Sequence, residues 1–178
     1  MKVFIDTCVL FPTLTRELLI GSARAEMFAP LWSTYVLGEW RSVAHRTGKY
    51  EADPEINRLV EEFPLALVEY TPETFLALSL PDADDVPILA AAIDGGANEL
   101  LTFNSGDFRS RTLAKHGLIR RHPDEFLLEF YQLDPDLARS NAEATLQKAK
   151  ADGFDASNPR RIFKRSLLPR LGKALYAS

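Results

Sequence analysis

The chain has 178 residues, 46% of them hydrophobic, which suits one domain with an appendage and a core that needs no covalent staples. Its single cysteine, Cys8, excludes an internal disulfide framework, and with only three histidines beside it a zinc site of the usual ligands is disfavoured. No apolar run approaches the ~20 residues of a membrane span. With no charged leader and cleavage site visible either, the expected compartment is a reducing cytoplasm.

Val3–Ile5 reads as a first strand and delivers Asp6 and Thr7 at its carboxyl end. In an open α/β sheet that is where a metal or phosphate ligand is expected. Pro12 lies near a helix start, and Leu14, Leu18 and Leu19 follow at helical spacing, with Ala23 and Ala25 beyond. Met27–Leu31 is a second strand or an extended turn. Ser33 or Thr34 then caps a helix through Val36, Leu37, Trp40, Val43 and Ala44 that ends near Gly48 and carries Glu39. Residues 49–54 are a polar loop, and Ile56, Leu59, Val60 and Phe63 mark an amphipathic helix. Leu65–Tyr70 has β composition. Thr71-Pro72-Glu73 caps a helix to about Leu78, and residues 81–85 form an acidic loop. Asp85 opens an Ala-rich helix that stops at Gly95-Gly96. Glu99–Phe103 is a buried strand followed by the loop 104–108, a short helix Thr112–Lys115 and a last strand Leu118–Arg120.

Strands alternating with helices predict a three-layer α/β/α domain with a central parallel sheet over residues 1–122. From Pro123 the β signals vanish. Asp124–Tyr131, Pro135–Ala151 and Arg160–Leu175 are expected as three helices of a C-terminal extension, residues 123–178. Residues 159–178 carry Arg160, Arg161, Lys164, Arg165, Arg170 and Lys173 and no acid, so a net charge of −4 hides a basic tail on an acidic body. Such asymmetry suits a nucleic-acid or acidic-partner surface. On composition alone a solvated helix face is the favoured reading. Phe154, Phe163 and Tyr176 are too sparse to define a base-stacking platform.

Four acids fall at element ends: Asp6, Glu39, Asp85 and Asp107, with Asn104 beside the last. Taken singly, each has an ordinary role as a turn, cap or surface residue. Taken together, on a parallel sheet, they gather carboxylates that repel one another unless a cation neutralises them. An all-carboxylate donor set points to Mg²⁺ or Mn²⁺.

The segments Val3-Phe4-Ile5-Asp6-Thr7-Cys8-Val9-Leu10, Glu39 on its helix, Asp85-Val86-Pro87-Ile88-Leu89-Ala90-Ala91-Ala92 and Leu101-Thr102-Phe103-Asn104-Ser105-Gly106-Asp107-Phe108 resemble those of PIN-domain ribonucleases, in particular the toxins of VapBC-type toxin–antitoxin pairs. The resemblance covers about residues 1–122. It implies a Mg²⁺- or Mn²⁺-dependent endoribonuclease in which Asp6, Glu39 and Asp85 match metal-binding positions. Many relatives have Asp where Asn104 stands, so either Asn104 is a neutral ligand or Asp107 supplies the fourth carboxylate; Asp107 is favoured. Thr7, Thr102 and Asn104 would orient carboxylates or water around the metal, and Asp82 and Asp84 are loop acids. The resemblance also implies an RNA substrate, a cognate antitoxin partner and a homodimer; the helices around Leu14–Ala25 and Ile56–Phe63 are apolar enough to offer an interface, and ordinary core packing explains them as well. The helical extension lies outside the resemblance, and its basic last helix could guide RNA backbone, pack against the domain or touch a partner. A phosphatase of the haloacid dehalogenase type needs a second Asp where Cys8 stands. A receiver domain needs an early acidic pair, and a Rossmann module needs a Gly-rich loop after the first strand. None of these is present.

Overall fold

The computed structural model describes residues 1–48 and 51–176. Along the chain the elements are β1 (Lys2–Ile5), α1 (Thr7–Leu10), α2 (Thr13–Arg24), β2 (Ala29–Leu31), α3 (Thr34–Thr47), α4 (Asp53–Glu62) and α5 (Pro72–Ala77). A 3₁₀ turn (Ala83–Asp85) leads into α6 (Val86–Asp94), β3 (Glu99–Leu101), α7 (Ser110–Ala114) and β4 (Ile119–Arg121). The helices α8 (Pro123–Leu133), α9 (Pro135–Ala151), α10 (Pro159–Arg165) and α11 (Pro169–Leu175) complete it. The chain divides into two compact units, Met1–Phe11 with Phe28–Arg121, and Pro12–Met27 with His122–Ser178.

The first unit is α/β, with four parallel strands in the order β2-β1-β3-β4 and helices on both faces, the three-layer arrangement expected. Val3, Phe4 and Ile5 are fully buried, as a central parallel strand covered on both faces requires. Ala90, Ala91 and Ala92 are also fully buried; their small side chains let α6 pack close to its neighbours. Ser33, not Thr34, caps α3 by accepting from the Val36 N–H (3.3 Å), and Gly48 ends it in the left-handed conformation (φ 59°). Two expectations change here. The strands are shorter than their apolar runs, β2 starting at Ala29 and β3 ending at Leu101. Leu65–Tyr70 forms no ladder: only Leu67 pairs, with Trp32. β2 ends at Leu31 and the chain turns into α3 at Ser33, so one residue remains to bond with, and Leu65 is left 90% exposed. The expected loop over 49–54 lies outside the described residues at 49–50.

The second unit is all-helical. It joins α2 to α8, α9, α10 and α11. The Asn141 amide on α9 donates to the Leu18 carbonyl on α2 (2.8 Å). The buried Asp124 carboxylate accepts from the backbone N–H groups of Arg170 (3.0 Å) and Leu171 (2.9 Å), supplying the cap that α11 lacks from its own N-cap residue. The single helix expected over Arg160–Leu175 is two. Pro169 has no N–H to donate and pushes Leu168 out of the helical region, and Leu167 turns left-handed (φ 60°). The fold that results seats Gly172 against Phe163, where an added Cβ would lie 2.5 Å from the Phe163 Cβ. Of the apolar positions on the helices considered for a dimer face, Leu18 and Leu19 are buried in the second unit and Ile56 and Leu59 in the first, while Leu14, Val60 and Phe63 are partly exposed.

Candidate functional site

In the order β2-β1-β3-β4 the connections from β1 and from β3 run to opposite sides, so the topological switch point lies between β1 and β3. In open α/β sheets ligands collect outside the carboxyl ends of the strands at such a point. Asp6 follows β1 and Thr102 follows β3. They meet: the Thr102 hydroxyl donates to Asp6 Oδ2 at 2.6 Å. The Cys8 thiol donates to the same oxygen at 3.0 Å, and the Cys8 N–H reaches Oδ1 at 3.5 Å, which makes Asp6 the cap of α1. Asp6 is only 4% exposed. Its carboxylate is thus held in one orientation by groups from two separated segments. Burial pushes the Cys8 thiol up to about 12, with repulsion from Asp6 adding to it, so Cys8 serves here as a neutral donor and not as a nucleophile.

The other predicted acids come to this neighbourhood from three further segments. The Thr7 hydroxyl donates to Glu39 Oε2 at 2.6 Å, tying α1 to α3. Asn104 donates through its amide to Asp107 Oδ2 (2.6 Å) and, at 3.4 Å, to Asp85 Oδ2, so it spans the two carboxylates. The Thr102 hydroxyl accepts from the Asn104 N–H at 2.9 Å, fixing the start of that loop. Thr7, Thr102 and Asn104 each orient an acid, and both Asn104 and Asp107 belong to the network. Asp85 occupies the N-cap position of α6, yet its side chain makes no capping bond. Asp82 does cap, accepting from the Asp84 N–H at 3.0 Å, and both Asp82 and Asp84 are exposed.

The electrostatics follow from this gathering. Burial raises the Asp85 carboxyl from an ordinary 3.8 to about 7, and repulsion from Asp6, Asp107, Asp82 and Glu39 adds to it. Glu39 is also raised, chiefly by burial, against the lowering bond from Thr7. Among the described residues none of Asp6, Glu39, Asp85 and Asp107 has an ion-pair partner on Lys, Arg or His. As placed, no three Asp, Glu, His or Cys side chains among the described residues form a ready cation site.

A raised carboxyl has a definite consequence for stability. The folded chain holds the Asp85 proton more tightly than the unfolded chain does. The resulting stabilisation is full below pH 3.8 and is lost as pH rises through about 7. In chelator-treated protein, Asp85→Asn is therefore expected to be more stable than the parent at pH 8, by about 1 kcal/mol once solvent screening at a half-exposed group is allowed for. The advantage should shrink towards zero at pH 4. Urea midpoints at the two pH values measure it, and an equal or lower midpoint for the variant at pH 8 contradicts the repulsion.

No family model, curated protein or solved structure matches this chain. Two contributors were missed in the sequence. Tyr35, on the first turn of α3, donates its hydroxyl to the Asp84 carbonyl (3.1 Å) and is raised, first by burial and then by Glu39, Asp84 and Asp85. Arg120 donates to the carbonyls of Ser105 (2.9 Å) and Phe108 (3.0 Å), clamping the loop that carries Asp107. A lone aromatic and a strand-end Arg carry no sequence signal for these roles.

Among the described residues no helix is long and apolar enough to cross a membrane.

Proposed function

We propose that the first unit is a Mg²⁺- or Mn²⁺-dependent endoribonuclease of the PIN type that cleaves RNA phosphodiesters, acting as the toxin of a type II toxin–antitoxin pair in the cytoplasm. The observation that carries this reading is the gathering of Asp6, Glu39, Asp85 and Asp107 around a topological switch point, without a cationic side chain to neutralise them. Such an arrangement costs stability in the absence of a cation. The donor chemistry, carboxylates only, fits a hard divalent ion and not zinc. Asp6, Glu39 and Asp85, with Asp107, would hold it, after side-chain movement from the positions they occupy here.

A bound ion supplies charge neutralisation at the scissile phosphate and a water of lowered pKa. The chain's own residues do the rest. Thr102 and Cys8 aim Asp6, Thr7 aims Glu39, and Asn104 fixes Asp85 relative to Asp107. Asp85 must give up its proton before it can serve as a ligand, so cation affinity falls as pH drops below about 7. A homodimer and a cognate antitoxin partner follow from the family resemblance.

One observation favours a second reading, a non-catalytic PIN-like binding protein: as placed, the acids form no ready cation site. The assay that separates the two is cleavage of single-stranded RNA by purified protein in Mn²⁺. Cleavage that stops on chelation and resumes on resupply supports the nuclease; intact RNA in both supports the binding protein. Growth arrest on expression, relieved by a co-expressed neighbouring gene, separates a toxin from an RNA-processing nuclease.

A further inference from the structure

From Phe108 to Pro123 the chain carries no acid and five cations, Arg109, Arg111, Lys115, Arg120 and Arg121, although the first unit as a whole is acidic. The structure divides these five by use. Arg120 clamps the Ser105 and Phe108 carbonyls, and Arg121 pairs with Glu99 at 3.1 Å. Arg109, Arg111 and Lys115 are exposed, and none of them has an ion-pair partner among the described residues. Arg109 stands two residues after Asp107, its N–H bonded to the Asp107 carbonyl at 3.2 Å, and Arg111 is in the first turn of α7. Three free cations therefore begin at the rim of the acid site, within the same compact unit.

A cluster of carboxylates repels a polyanion. A nuclease built on one needs cations beside it to hold the substrate backbone, and the planar guanidinium grips phosphate oxygens in pairs. We propose that Arg109 and Arg111, extended by Lys115, form a rail for the phosphodiester backbone of single-stranded RNA and seat it across Asp6, Asp85 and Asp107. The inference rests on the nuclease reading of that site. The rail binds phosphate, so it sets affinity and its salt dependence without reading bases.

The test compares Arg109→Gln/Arg111→Gln with Lys2→Gln/Arg46→Gln, an equal charge change at two exposed positions at the start of β1 and the end of α3, away from the carboxyl ends of the strands. Binding of a fluorescent single-stranded RNA is measured against salt in an Asp85→Asn background, and cleavage in the parent background. Two lost contacts should lower the log–log salt slope by about 1.4. The rail variant should raise KM at least tenfold with kcat within threefold. The Lys2/Arg46 pair should leave both unchanged, and Arg109→Lys/Arg111→Lys should restore the slope. Equal effects from both Gln pairs mean bulk charge and overturn the rail. Unchanged slope and KM in the rail variant, with cleavage intact in the parent, overturn the rail alone. A parent protein that binds RNA with the predicted slope but never cleaves it overturns the nuclease and keeps the rail. A parent that neither binds nor cleaves overturns both.

Discussion

Asp85→Asn is expected to lower the rate of RNA cleavage in Mn²⁺ by on the order of 10²–10³-fold, the usual cost of removing one preorganised electrostatic group from a catalytic site. Asp85 is the most informative acid to remove because it carries little local structure. Its side chain makes no capping bond to α6, and its polar contact is the long 3.4 Å bond from Asn104. Asp6, by contrast, receives the Thr102 hydroxyl and the Cys8 thiol, so Asp6→Asn confounds chemistry with stability. The same Asp85 substitution is expected to stabilise the chelated protein above pH 7. Activity and stability then move in opposite directions, the signature of a group kept for function at the expense of the fold. A variant that retains cleavage within threefold of the parent would show that Asp85 is only a loop residue.

Trp40→Ala is expected to cost about 3–5 kcal/mol, a large share of the ~5–15 kcal/mol that holds a typical domain. Trp40 is fully buried on α3, next to Glu39. Removing the indole leaves a cavity beneath the helix that presents this acid. Trp32, also fully buried in the first unit, is the only other tryptophan, so its fluorescence during urea denaturation reports that unit selectively. A loss below about 1 kcal/mol would mean that α3 does not depend on Trp40 for its seat. Trp40→Phe, which keeps an aromatic ring in place, should recover much of the difference.

The parts of the site legible in the sequence are those fixed by position along an element. Asp6 follows a strand of Val, Phe and Ile, Asp85 precedes an Ala-rich helix, and the 104–108 loop follows a buried strand. Parallel topology then places strand ends and helix starts on one edge. What was not legible depends on register between distant segments. Thr102 reaches Asp6 because Ile5 pairs with Leu101, and no local pattern encodes that pairing. Tyr35 and Arg120 join through a hydroxyl and a guanidinium that meet backbone carbonyls, which any residue provides. The β composition of Leu65–Tyr70 was overridden because the neighbouring strand stops too soon to pair with it. Pro169 itself breaks the single helix expected over Arg160–Leu175, because a proline inside a helical run removes a backbone donor. Least legible was the grouping of α2 with the C-terminal helices, since the bond from Asn141 to Leu18 spans 123 positions.

The most direct test of the metal-dependent reading is a Mn²⁺ titration of the purified protein by calorimetry at pH 8 and pH 6, beside Asp85→Asn. Saturable binding by the parent is expected at pH 8, weaker at pH 6 because Asp85 must first lose its proton, and at least tenfold weaker in the variant at pH 8. Absence of binding by the parent, or equal binding by parent and variant at pH 8, would contradict a divalent-cation site at these carboxylates.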